Sequence, residues 1–284
     1  MSDKKTYNFI SGLPRSGSTL LCNLLVQNPA FHSSPTSTLL NLLLGIRDRA
    51  SDVQQGVVKA NDDKEMVNRV LKGMFYGYFS HTDKKVCFDK SRGWCHHIEM
   101  AEEILGHPIK ILVTVRDVRE VLASFEKLWK ENAGHRTIPQ ERADYHQFNS
   151  VEGRLAMWMK PNQVVGASYN NIRDAVQRGF ANRLYFIDFD AFTEDPEKTM
   201  RGIYEFLGEK YYKHDFDNIE QVIHEKDEYY GFDDLHTIRP KIEPVMMKWP
   251  ISLGEQATAM YSKMNFWEDA HARRQNGLKS NLDL

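Results

Sequence analysis

The stretch from residue 8 to 28, NFISGLPRSGSTLLCNLLVQN, sets the strongest limit on what this chain folds into. Phe9 and Ile10 begin a short apolar strand, Gly12 and Gly17 bound a turn, and a leucine-rich helix starts near Ser18. In that order of elements, the loop amides and the exposed N–H groups of the first helical turn converge on one point. There the helix dipole adds its attraction for an anion. The run Gly12-Leu13-Pro14-Arg15-Ser16-Gly17-Ser18-Thr19 has the GxxxxG spacing of a nucleotide phosphate loop, but Ser18 stands where such loops carry lysine. The positive charge sits at Arg15 instead, which disfavours ATP or GTP as the ligand.

A loop of this kind belongs to a chain in which strands and helices alternate, and the remaining pattern supplies them. Asn28-Pro29 stops the first helix. FHSSPT reads as a polar loop, followed by a helix capped by Ser37 or Thr38 with Leu39, Leu42, Leu43 and Ile46 on one face. Residues 48–64 read as a surface connection and 65–80 as a helix whose Phe75, Tyr76, Tyr78 and Phe79 belong to a core. Val86, Cys87 and Phe88 form a short strand, with Asp89, Lys90, Ser91 and Arg92 at its carboxyl end, where open parallel sheets place ligands. A helix over 96–105 leads through Gly106-His107-Pro108 to the β-branched run 109–115, and Arg116 follows.

Beyond a helix over 118–130, residues 131–150 are polar and aperiodic, as a flap over a site would be. The pattern is helical over 150–178 with a break at Pro161, extended over 184–189, and helical again from Asp195-Pro196 to Gly208. Residues 236–250 hold three prolines and read as extended loop. The sum is an α/β fold: a P-loop-containing three-layer sandwich, its sheet mainly parallel with helices on both faces. Nothing in the composition divides the 284 residues into two halves, so a single domain over 1–284 is expected.

A formal charge of −2 argues against a general nucleic-acid binder, so any anion site is local. No apolar run approaches the roughly 18 residues needed to cross a bilayer, and the polar start MSDKKTYN lacks a signal-type core, which suits a protein without membrane attachment. Cys22, Cys87 and Cys95 have neither disulfide nor zinc spacing; a reducing cytoplasm and no metal site are expected.

The form Pro-Arg-Ser-Gly-Ser-Thr at 14–19 resembles the 5′-phosphosulfate loop of the sulfotransferases, which take a sulfuryl group from 3′-phosphoadenosine 5′-phosphosulfate (PAPS) and release adenosine 3′,5′-bisphosphate (PAP). Arg116 at a strand end and Ser124 eight residues later resemble the family's 3′-phosphate motif. Lys90-Ser91 is similar to the lysine-hydroxyl pair beside the transferred group. Tyr185 lies on the strand where related enzymes present a group to the nucleotide, and Lys248 resembles a late-loop lysine of tyrosylprotein sulfotransferases that contacts donor phosphates. Taken alone, Arg116 is better explained as a salt-bridge partner of Asp117 or Glu120, and Lys248 equally well as a solvated surface lysine.

The resemblance implies PAPS as donor, no required metal, and a hydroxyl or amine acceptor on a small molecule, glycan or peptide. Negative charge grows on the leaving phosphate as its bond to sulfur breaks, so placed cations are the main device; Arg15 and Lys90 are assigned to it. The chain departs from the family at the general base. The glutamate that heparan and tyrosylprotein sulfotransferases carry after the first helix is absent from HSSPTSTLL. The histidine that cytosolic members place two residues after the lysine is Arg92 here. His236, His32, His96 and His97 remain as candidates. A small-molecule kinase and a non-catalytic nucleotide-binding protein are the competing readings.

Overall fold

The computed structural model describes residues 5–50, 64–132, 148–230, 234–244 and 252–268. Five strands form one sheet: β1 (Thr6–Gly12), β2 (Phe31–Thr36), β3 (Val86–Lys90), β4 (Ile111–Val115) and β5 (Leu184–Asp188). The spatial order is β2-β3-β1-β4-β5 and every pairing is parallel. The parallel α/β expectation therefore holds.

Alternate residues of each central strand serve opposite faces, as the pleat requires. Phe9, Ile111 and Val113 pack into one apolar cluster with α2 (Leu39–Ala50), α3 (Lys64–Tyr78), α4 (Ile98–Leu105), α5 (Val118–Asn132), α6 (Val151–Trp158) and α7 (Val164–Gln177). Ile10, Phe88 and Leu112 pack into the other, against α1 (Ser18–Leu25), α8 (Phe189–Glu194) and α9 (Pro196–Leu207). The short α10 (Glu255–Met260) joins the first cluster through Ala257. Helices thus cover both faces, and strand ends emerge together at the carboxyl edge.

Several elements follow their local chemistry. Asp195 caps α9, accepting from the Lys198 amide at 3.0 Å, Pro196 opens it, and Gly208 closes it with φ 72°. Pro161 lies in the break between α6 and α7.

FHSSPT departs from expectation: it is the edge strand β2, not a loop. Ser33 and Ser34 are buried, Ser34 Oγ accepts from the Lys90 amide at 3.0 Å, and Pro35 sits at the pairing irregularity between Ser33 and Thr36. Proline is tolerated at a sheet edge, where no partner needs its missing N–H. The apolar face of α2 also shifts, for Leu39, Leu40 and Leu43 are buried while Leu42 and Ile46 are exposed. The flap over 131–150 falls almost wholly outside the described residues.

Candidate functional site

β1 is central, with β3 and β4 on either side, so the chain turns both ways from its carboxyl end. A crevice opens at such a reversal. Gly12 ends β1 with φ 140°, and a Cβ there would lie 2.2 Å from the Thr114 carbonyl oxygen, so only glycine lets the loop lie on β4. Gly17 (φ 85°) precedes α1 as an N-cap with no side-chain cap, which leaves the amides of the first turn to other partners. Arg15 holds φ 60°, a left-handed backbone rare outside glycine and commonest where function demands it.

Ser16 plays a different part from Ser18 and Thr19. Its hydroxyl is buried, donates to the Leu13 carbonyl (2.5 Å) and meets Thr114 Oγ1 at 2.8 Å, so it locks the loop to β4 and leaves only its backbone for a ligand. Pro14, Arg15, Gly17, Ser18 and Thr19 line a cavity of about 930 Å³. Lys90, Arg116, Ser124 and His236 line the same cavity.

The cations are held from behind. Lys90 Nζ lies 2.7 Å from Glu225 Oε1 and 3.4 Å from Thr19 Oγ1. Glu225 Oε1 also accepts from the Thr36 amide and hydroxyl at 2.8 and 2.9 Å. Burial pushes the Glu225 carboxyl up, but Lys90 and these bonds outweigh it and hold it below its ordinary value. Arg15 donates through Nε to Ser124 Oγ (3.1 Å) and through Nη1 to the Leu235 carbonyl. Burial, then the neighbouring Arg116 guanidinium, pulls the Arg15 pKa down, and Asp227 opposes the shift.

Arg116 combines both readings weighed from sequence. Its Nε donates to Glu120 Oε2 at 2.7 Å, and its guanidinium lies 4.5 Å from the Phe189 ring centroid. Its Nη2 is buried with no hydrogen-bond partner among the described residues. An unpaired buried donor of a charged group costs on the order of 1–3 kcal/mol or more, so this atom invites an acceptor oxygen.

Among the four candidate histidines, His236 alone lines the cavity. His32 packs at 5.9 Å on Phe79 and 5.0 Å from His81, while His96 pairs with Asp174 at 3.2 Å and neighbours His97. His236 Nδ1 lies 2.5 Å from Asp227 Oδ1, and its amide donates to Asp227 Oδ2 at 2.9 Å. Burial lowers the His236 pKa, with Asp227 and Glu225 opposing.

Tyr185 is not brought to the site. Its ring packs 5.4 Å from Phe206, and its hydroxyl lies over Gly202 on α9, where a Cβ would come within 2.1 Å of it. The pleat turns position 185 sideways into the α9 layer, away from the strand ends. Lys248 lies outside the described residues. Glu225, Asp227 and Phe189 were missed; the carboxylates sit in an acidic run, HEKDEYYGFDDLH, whose aperiodic sequence carries no signal of its fold. Arg239 and Lys241 also line the cavity, and Phe125, Leu128, Phe148 and Trp158 give it an apolar wall.

A parallel sheet with a phosphate-type loop at its reversal and basic side chains around one cavity defines a P-loop-type protein built for an anionic ligand. The Sulfotransferase family profile matches residues 9–213, and the chain belongs to that family. No curated protein matches it in sequence.

Among solved structures, the chain is similar to the sulfotransferase domain of the Synechococcus PCC 7002 olefin synthase, at 20% identity and TM-score 0.49, covering 89% of this chain and 95% of that one. The mouse sulfotransferase SULT7A1 complexed with PAP aligns at 11% identity and TM-score 0.52, covering 97% and 89%. A sulfotransferase from Alicyclobacillus acidocaldarius aligns at 15% identity and TM-score 0.47, covering 98% and 97%.

Proposed function

We propose that this sulfotransferase takes PAPS as donor and passes its sulfuryl group to a hydroxyl or amine of a small-molecule, glycan or peptide acceptor, releasing PAP. Bound PAPS supplies an activated sulfuryl group: the acceptor oxygen or nitrogen bonds to sulfur as the bond from sulfur to the 5′-phosphate oxygen breaks. The loop amides and the open N-terminus of α1 hold the 5′-phosphate. Arg15 and Lys90 stabilise the charge that the leaving oxygen gains. Arg116 and Ser124 take the 3′-phosphate, and His236 accepts the acceptor's proton through its ring. No step in this scheme calls for a metal, and buried cysteine thiols suit a reducing cytoplasm.

The observation that carries the reading is Arg116 Nη2, a partnerless buried donor on a guanidinium beside Arg15, at the cavity that the phosphate loop also lines. A ligand with two phosphates offers acceptor oxygens to Arg116 and to the phosphate loop at once. PAP without added metal should therefore raise the melting temperature well above the effect of ATP with Mg²⁺, and adenosine 5′-phosphate should do less than PAP. Equal stabilisation by ATP, or strict dependence on Mg²⁺, would favour a kinase instead.

A further inference from the structure

We infer that Asp227 is the positioning residue of the proton acceptor, holding His236 in the tautomer whose Nε2 takes the acceptor's proton. The inference rests on the reading of His236 as the base.

One carboxylate grips His236 twice, at the backbone amide (2.9 Å) and at ring Nδ1 (2.5 Å). A carboxylate only accepts, so Nδ1 carries the proton and donates it to Asp227, and the proton-accepting nitrogen is then Nε2. His236 lines the cavity and Asp227 stands behind it.

The backbone on both sides is pinned as well. Arg15 donates to the Leu235 carbonyl, while Gln221 donates to the His236 carbonyl at 3.1 Å and accepts from the Ile238 amide at 3.0 Å. The phosphate loop and the imidazole are thereby held in one register, so the ring's position relative to the donor site is set before any ligand arrives. A general base that must meet a hydroxyl at hydrogen-bond distance needs that placement.

Among the described residues, the charged groups facing the ring include Asp227, Glu225 and Lys90, with Arg15 acting through Asp227. The carboxylates favour the imidazolium that forms on proton transfer, and Lys90 opposes it. Loss of Asp227 removes a stabiliser of that product state together with the tautomer. In Asp227→Asn the side-chain amide can donate to Nδ1, which turns the ring to the Nε2–H form.

The test is nitrogen-15 NMR of the imidazole in the full chain with PAP, together with PAP release from PAPS with water as acceptor across pH. The wild type should show the Nδ1–H tautomer. Asp227→Asn should shift toward Nε2–H, lower the histidine's titration midpoint, move the acid limb of the rate profile to lower pH, and cost at least tenfold in turnover with PAP affinity unchanged. The same substitution at the carboxylate of a serine-protease triad costs about 10⁴.

A wild-type Nε2–H tautomer overturns the inference without any variant. So does an Asp227→Asn protein whose tautomer and acid limb match the wild type. His236→Gln separates the two readings: if it keeps the acid limb and the rate, His236 is not the base. If it loses both while Asp227→Asn does not, only the positioning role fails.

Discussion

Arg116 is engaged on two sides, by Glu120 and by the Phe189 ring, which fixes the guanidinium, while its buried Nη2 has no partner among the described residues. Ser124 shares its hydroxyl with Arg15, so it is both a possible donor and a brace for a cation. Arg116→Ala should therefore weaken PAP by more than Ser124→Ala, since a hydrogen bond to a charged group contributes about 1.5–3 kcal/mol and a neutral one roughly half of that. Arg116→Ala should leave adenosine 5′-phosphosulfate, which lacks the 3′-phosphate, nearly untouched, and calorimetry with both ligands checks it. Arg15, Lys90 and Arg116 were legible in the sequence because each lies at a strand's carboxyl end or just beyond it, and parallel order sends those ends to one edge. Glu225 was not legible. It meets Lys90 across 135 residues, along an irregular path that no periodicity describes.

Strand β3 shows how far an element's pattern reaches. Its alternation sends Lys90 to the cavity and Asp89 to the opposite face, where the carboxylate is buried and accepts from Trp94 Nε1 at 2.7 Å. Burial pushes its pKa up from 3.8 to about 6. A raised carboxyl pKa means that the folded chain binds this proton more tightly than the unfolded one. Its contribution to stability is therefore intact below the unfolded value and falls as pH climbs from about 4 through 6. At about 1.4 kcal/mol per pKa unit the loss is about 3 kcal/mol. Urea unfolding at pH 4 and pH 7 should show that extra loss in the wild type relative to Asp89→Asn; parallel pH dependence would mean that Asp89 is not so perturbed. The helices and central strands were readable because their apolar periods match the layers they join. β2 was not, because two of its buried positions are Ser33 and Ser34, and Ser34 is satisfied by the Lys90 amide of the neighbouring strand.

At the scale of the whole molecule, strand order β2-β3-β1-β4-β5 brings β3, β1 and β4 side by side, and with them Lys90, the phosphate loop and Arg116. Ile223, Ile238 and Ile242 pack on the cluster behind α1, and Glu225 and Asp227 back Lys90 and His236 at that edge. On the proposed function, binding and chemistry divide between different groups: the loop amides and Arg116 would hold both phosphates without Lys90, whose charge would matter most as the leaving oxygen develops its own. Removing Lys90 alone would leave Glu225 as an unpaired buried carboxylate, so the comparison belongs in a Glu225→Gln background. The decisive measurement is turnover of PAPS set against calorimetric PAP affinity for Glu225→Gln with and without Lys90→Ala. Sulfuryl transfer assisted by Lys90 predicts turnover lower by on the order of 10²-fold or more with PAP affinity changed far less. Equal loss of rate and affinity, or wild-type protein that binds PAP yet never consumes PAPS, would contradict it.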